Sequence, residues 1–166
     1  MIVRAPSRFA SSISGGNRGG GSCVVVAMEL SEALEFVGAR QNGVLSTQKR
    51  DGRPQLSNIT YALIDGVVKI SITAGRAKYA NLVRDPRASL YVTRDDFWAY
   101  VVVEGDVEMS EVATKPDDAG VDELVEYYRS LAGEHPDWDD YRKVMVADKR
   151  VIVRLKPTHS YGMLSR

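Results

Sequence analysis

The chain is poor in the residues that build covalently or metal-held scaffolds. It has one cysteine, Cys23, which leaves no intrachain disulfide framework and no cysteine-rich zinc site. Its two histidines, His135 and His159, stand far apart, with no glutamate at ligand spacing, and do not make a metal centre. Charge of one sign is also missing. Lysine and arginine number 22, aspartate and glutamate 22, so no whole-chain field draws the protein to nucleic acid or to an anionic membrane. No apolar run approaches the roughly 20 residues of a membrane-spanning helix. Absent too are the Gly-x-Ser-x-Gly nucleophile elbow, the Gly-x-Gly-x-x-Gly dinucleotide fingerprint and the phosphate-binding P-loop. The solitary thiol fits a reducing cytoplasm, and 166 residues suffice for one domain with a real core.

Residues 1–27 differ from the rest. They carry Arg4, Arg8 and Arg18, no acid, and the glycine-rich run Gly15-Gly16-Asn17-Arg18-Gly19-Gly20-Gly21. Val24-Val25-Val26-Ala27 is too short for a signal-peptide core. The segment has too little apolar material to offset the entropy of ordering, and reads as a disordered extension or as sequence upstream of a start at Met28. Without its three arginines the body, residues 28–166, holds 19 basic against 22 acidic residues and is mildly acidic.

Within that body, turn signals and periodicity mark the elements. A short helix begins at Ser31. Strands are expected over 44–50, 54–64 and 67–73, joined by hairpins at Asp51-Gly52 and Asp65-Gly66. A helix over 76–84 closes at Asp85-Pro86, because the residue before proline avoids helical geometry. Strands follow over 88–93 and 98–109, the latter with a bulge at Glu104-Gly105. Val121, Leu124, Val125, Tyr128 and Leu131 recur at three and four, giving an amphipathic helix over 116–132 capped by Asp117 or Asp118. A further helix opens at His135-Pro136 and runs to about Val146. The last strand is 150–155, and the tail His159–Gly162 extends its pairing. Hairpin-linked strands favour an antiparallel barrel flanked by helices over a doubly wound parallel sheet.

Four clusters carry possible chemistry. Arg76 and Lys78 place two cations at the start of a helix, where free backbone N–H groups and a partial positive end suit a phosphate. Ser71 and Thr73, alternate residues of the preceding strand, add hydroxyls from one face. Solvated helix cations paired with acids are the alternative. Gln55-Leu56-Ser57-Asn58 puts poor strand formers in mid-strand, which suits directional recognition of a polar ring edge or an ordinary solvent-facing strand. Asp95-Asp96-Phe97-Trp98-Ala99-Tyr100 gathers three aromatics that could wall a planar ligand, fill a subunit interface or pack in the core. Lys49, Arg50 and Arg53 flank the first hairpin, as a basic patch for a polyanionic tail or as a solvated turn.

Taken together, these residues resemble a known family. Gly52–Asn58, Arg76-Ala77-Lys78 with Asn81-Leu82, Asp85–Ser89, Asp95–Tyr100, Tyr128-Arg129, Gly133-Glu134-His135, Asp137–Arg142 and His159–Gly162 are similar to the flavin and deazaflavin oxidoreductases of the pyridoxamine-phosphate-oxidase-like superfamily. The likeness covers residues 29–164 and is nearest to the actinobacterial branch that uses coenzyme F420, a deazaflavin. The resemblance implies a split β-barrel, mainly β with flanking helices, assembled as a homodimer with cofactor sites at the interface. It implies that Arg76 and Lys78 hold the cofactor phosphate and that Gln55, Leu56, Ser57 and Asn58 line the tricyclic ring. Trp98 and Tyr100 would approach from the second subunit, and Lys49, Arg50 and Arg53 would meet the polyglutamate tail. The fuller basic set that resembles FMN phosphate binding is lacking.

The expected activity is hydride transfer between reduced coenzyme F420 and an electron-poor small molecule of enone, quinone or tetrapyrrole type, with solvent or Tyr161 as proton source. The alternatives are an FMN-dependent enzyme on the same fold and a non-catalytic deazaflavin or ligand carrier.

Overall fold

The computed structural model describes residues 28–164; the expected extension over 1–27 lies outside the described residues. Helix α1 spans Leu30–Gly38 and is followed by strands β1, Asn42–Gln48, and β2, Pro54–Thr60. Next come β3, Ala62–Ile64, β4, Val67–Thr73, and helix α2, Ala77–Arg84. Strands β5, Arg87–Thr93, and β6, Tyr100–Met109, lead to helices α3, Ala119–Ala132, and α4, Trp138–Ala147, and the chain closes with β7, Arg150–Met163. All pairings are antiparallel, in the order β2-β1-β5-β6-β7-β4-β3. The two ends of that order, β2 and β3, are one run of chain, so the sheet curls into a barrel split between β2 and β4.

The expected single strand over 54–64 is therefore two strands, broken at Tyr61. Tyr61 is fully buried and its hydroxyl donates to Val37 O at 2.8 Å, so the chain turns inward there to seal the barrel end against α1. Burial pushes the Tyr61 phenol above its ordinary pKa, and the Arg40 charge only partly opposes this.

Alternation along the strands builds the core. Leu45, Leu90, Val92, Val101, Val103, Val68, Ile70, Val151, Val153 and Leu155 all face inward and are almost wholly buried. Each contributes on the order of 1.5–3 kcal/mol relative to exposure. A second core lies outside the barrel, where Val121, Leu124, Val125, Tyr127, Tyr141 and Met145 of α3 and α4 cover the outward Ile152. The ion pairs of Lys69 with Glu123 and Glu126, at 3.4 and 3.1 Å, and of Arg154 with Glu123 fasten α3 to β4 and β7.

The turn signals are realised locally. Asp65 and Gly66 both take positive φ, 50° and 76°, which a two-residue hairpin requires. The irregularity expected at Glu104-Gly105 is present, with the extra residue, Thr158, on β7. Gly105 is obligatory there, because a Cβ would lie 1.9 Å from Lys156 O. The tail after 155 does extend the pairing, and β7 runs unbroken in secondary structure to Met163.

Several boundaries shift. β6 starts at Tyr100, not Trp98, because residues 94–99 fold into a turn with Arg94 N–H donating to Ala99 O at 2.9 Å. α3 starts at Ala119. The Asp118 carboxylate bonds Thr114 N, Lys115 N and Thr114 Oγ1, capping the preceding turn and leaving the helix end without a side-chain cap. α4 starts at Trp138, capped by Asp137, which accepts from Asp140 N at 2.9 Å.

Candidate functional site

A cleft of about 380 Å³ opens where the barrel is split. Its wall is Asn58, Ile59 and Thr60 of β2, Ser71 of β4, Lys78 of α2, Tyr127 of α3, Tyr141 and Met145 of α4, and Arg150 of β7. Three residues singled out in the sequence, Asn58, Ser71 and Lys78, thus meet across three elements. The outward alternation of β4 puts Ser71 and Thr73 on the same face, and Ser71 is the one that reaches this cleft.

Lys78 is half-buried in the first turn of α2, with Arg76 in extended geometry at the N-cap. Among the described residues, neither cation has a carboxylate within ion-pair distance. Burial lowers the Lys78 pKa from its ordinary 10.5, and the like charge of Arg76 lowers it further. A cation held this way stabilises an incoming anion, since nothing else at hand neutralises it.

Beneath the cleft, Gln55 and Ser57 face the barrel interior. Gln55 Nε2 donates to Ser57 Oγ at 2.7 Å, and Gln55 Oε1 accepts from Thr47 Oγ1 at 3.2 Å. Asn81 of α2, itself buried, donates to Thr47 Oγ1 at 3.1 Å. This polar network explains the poor strand formers of β2: it pins α2 beneath β1 and β2 and so sets the position of Lys78. Leu56 alternates outward and is 63% exposed.

The remaining residues lie elsewhere. Tyr100 stacks on Tyr91, ring centroids 5.6 Å apart, on the outward face of β5 and β6. Trp98 is 70% exposed on the preceding turn. Tyr161 occupies the outward face of β7 opposite Val102, away from the split. Its phenol is pushed up by burial, then by Glu104 and Tyr100, so it retains its proton at neutral pH. In the first hairpin Arg53 pairs with Asp51 at 2.6 Å, which holds the Asp51 carboxyl below its ordinary value, while Lys49 N–H donates to Arg53 O at 2.9 Å. None of Lys49, Arg50 and Arg53 lines the cleft within one chain.

Sequence reasoning missed Tyr127 and Arg150. Tyr127 Oη donates to Thr60 O at 2.8 Å, tying α3 to the end of β2 at the cleft rim. Arg150 bonds Asp148 at 3.1 Å and adds a further cation to the lining. A stripe at three and four selects Tyr128 over Tyr127, and an arginine at a strand start carries no motif, so neither had a signal. Tyr141, expected on the buried face of α4, belongs to an aromatic cluster behind the cleft, 5.1 Å from Tyr128 and 5.4 Å from His135.

Residues 30–163 match the family pattern described as pyridoxamine 5'-phosphate oxidase. The chain belongs to that family. The split barrel is its fold, and the cleft lies on a scaffold that family members use for flavin-type cofactors. Among solved structures, a conserved hypothetical protein from Mycobacterium tuberculosis is 27% identical, covering 85% of this chain and 87% of its own, with a TM-score of 0.64. An F420 reductase is 26% identical, covering 76% and 93%, with a TM-score of 0.54. A heme binding protein from Mycobacterium smegmatis is 19% identical, covering 81% and 53%, with a TM-score of 0.61, and shares the fold. Among the described residues no helix is long and apolar enough to cross a membrane, and no group of three histidine, cysteine, aspartate or glutamate side chains is placed to hold a metal ion.

Proposed function

We propose that this protein is an oxidoreductase that binds coenzyme F420 through its phosphate at the split of the barrel and reduces an unsaturated, electron-poor small molecule. The observation that carries the reading is Lys78, uncompensated and lining the cleft beside Ser71 and Asn58, with a second uncompensated cation, Arg76, two residues earlier at the N-cap of α2. The residues present fit a phosphorylated cofactor. Arg76 offers a fork for two oxygens and Lys78 a point charge, and Ser71 adds a hydroxyl donor. The 26% identity to an F420 reductase favours the deazaflavin over FMN.

When bound, the deazaflavin supplies hydride equivalents. The chain's own residues bind and orient. The Thr47–Gln55–Asn81 network fixes α2, and the Tyr127–Thr60 bond fixes the end of β2, so the phosphate grip and the strand edge hold one relative geometry. Tyr161 keeps a proton on the outward face.

The homodimer belongs to the same reading. The outward face of β1, β2 and β5–β7 carries Val44, Leu56, Tyr91, Tyr100, Val102, Tyr161 and Met163, and is open at Leu56, Trp98 and Met163. A second copy covering this face brings Trp98 and Tyr100 of one protomer towards the other's cleft.

Titration of the protein with coenzyme F420 and, separately, with FMN, followed by the fluorescence of Trp98 and Trp138, tests the proposal. The expected result is micromolar or tighter binding of F420 and much weaker binding of FMN, followed by turnover of an enone, quinone or tetrapyrrole with the reduced coenzyme. Preference for FMN moves the protein to the flavin-dependent branch. Tight F420 binding without turnover of any acceptor makes it a carrier, and binding of neither overturns the cofactor reading.

A further inference from the structure

A second and larger cavity, of about 750 Å³, adjoins the cofactor cleft. The two share Asn58, Ile59 and Thr60, so the end of β2 is their common wall. The rest of the second lining is Arg40 after α1, Gln41–Val44 at the start of β1, and Thr93, Arg94, Asp95 and Phe97 around the β5–β6 turn.

Two features of this lining bear on what it could hold. The first is Arg40. Its guanidinium lies over the Phe36 ring, 3.7 Å from the centroid, and one nitrogen donates to Phe36 O at 2.8 Å. These contacts hold the side chain in place yet leave the charge without a carboxylate in ion-pair distance among the described residues. The other charges of the lining are Arg94, bonded to Asp96 at 2.8 Å, and the exposed Asp95. The second feature is Phe97. It takes φ 63°, a left-handed conformation seldom adopted by side chains larger than glycine or asparagine, and is 73% exposed. The turn is held by Phe97 N–H donating to Arg94 O and Arg94 N–H to Ala99 O, both at 2.9 Å. An exposed aromatic ring held on a strained turn at the cavity rim is placed to meet whatever occupies the cavity. The floor is finished by the Thr60–Asn42 hydrogen bond at 3.1 Å.

We infer that this cavity seats a planar, unsaturated organic acid, its ring against Phe97 and its carboxylate on Arg40. A fixed guanidinium fork matches a carboxylate better than any neutral acceptor. Within the oxidoreductase reading, on which this assignment of role rests, the acid is the hydride acceptor, because the shared wall puts it directly beside the cofactor cleft. The same carboxylate chemistry could also come from the cofactor's glutamate tail, and the experiment separates the two sources.

Isothermal titration calorimetry of the full chain at pH 7 compares 2-naphthoate, uncharged 2-naphthamide and a γ-linked triglutamate, with no cofactor present. The expected result is naphthoate binding about ten-fold or more tighter than naphthamide, the lower end of what one charge-assisted bond supplies. Triglutamate is expected to bind more weakly than naphthoate. Arg40→Gln abolishes the preference for the charged ligand, whereas Lys78→Ala retains it. Equal binding of acid and amide, no binding of naphthoate, a preference that survives in Arg40→Gln, or tighter binding of triglutamate would each overturn the inference. The acid–amide comparison is made on the unaltered protein and so does not depend on how the variant folds. Failure here with intact F420 binding removes the acid site alone; failure of F420 binding with the acid preference intact removes the cofactor reading alone.

Discussion

Truncating Lys78 to alanine removes an ammonium that is half-buried, faces the like charge of Arg76, and has no carboxylate beside it. Its pKa in the folded protein is lowered below 10.5, first by burial and then by Arg76. A base whose folded pKa is depressed is less favourably charged in the fold than in the unfolded chain. Its charge therefore opposes folding at neutral pH, and deleting it relieves that cost. The apo protein's melting temperature should stay unchanged or rise. Binding moves the other way. A charge-assisted hydrogen bond to a phosphate contributes about 1.5–3 kcal/mol, so Kd for the phosphorylated cofactor should rise roughly ten- to 150-fold. The pH profile adds an independent readout. Affinity of the unaltered protein should fall as pH climbs through the folded Lys78 pKa, below 10.5, and Lys78→Ala should lack that alkaline limb while Arg76 remains charged. Fluorescence titration between pH 7 and 10.5 and thermal unfolding of the apo protein supply the data. A change in Kd below about two-fold, under ~0.4 kcal/mol, refutes the phosphate role. A melting temperature lowered by several degrees would show that Lys78 holds the fold instead.

Three other perturbations follow from the same geometry. Gly105→Ala drives a Cβ to 1.9 Å from Lys156 O and should cost about 3 kcal/mol or more, read as a lowered urea midpoint. Glu123 is raised by burial, but the hydrogen bond and charge of Arg154, with Lys69, outweigh this and leave its carboxyl below 4.5. Its contribution to stability is present above that value and lost as pH falls through the folded pKa, so stability should drop below about pH 4.5, and Glu123→Gln should flatten that drop in urea unfolding. If the proposed homodimer forms through the open outward face, Leu56→Asp places a charge in its interface and should lower the sedimentation coefficient from a dimer's to a monomer's; a dimer that survives the change is not joined by this face.

Much of the fold was legible because its signals are local. Asp65-Gly66 dictates a tight hairpin by backbone conformation alone, and the apolar–polar alternation over 68–73 matches the inward set Val68, Ile70 and Ile72. Where the sequence misled, a distant contact had intervened. The strand over 54–64 breaks because Tyr61 finds Val37 O, 24 residues away in sequence. Asp118 leaves its expected capping role because the turn at Thr114 and Lys115 offers it more donors. The mid-strand Gln55 and Ser57 stood out as anomalies, but their partners Thr47 and Asn81 could be found only in three dimensions.

The sequence by itself determined most of the element order, the hairpin at Asp65-Gly66, the place of the irregularity at Glu104-Gly105 and the cation pair Arg76 and Lys78, because each is written in neighbouring residues. Only the tertiary structure decided that β2 and β3 sit at opposite ends of the sheet order, and that the split between β2 and β4 joins Asn58, Ser71 and Lys78 to Tyr127 and Arg150. It alone set the Arg40 cavity against the far side of the same strand end. The reason is that barrel closure depends on the summed twist and register of all the strands, and no single stretch of chain encodes that sum.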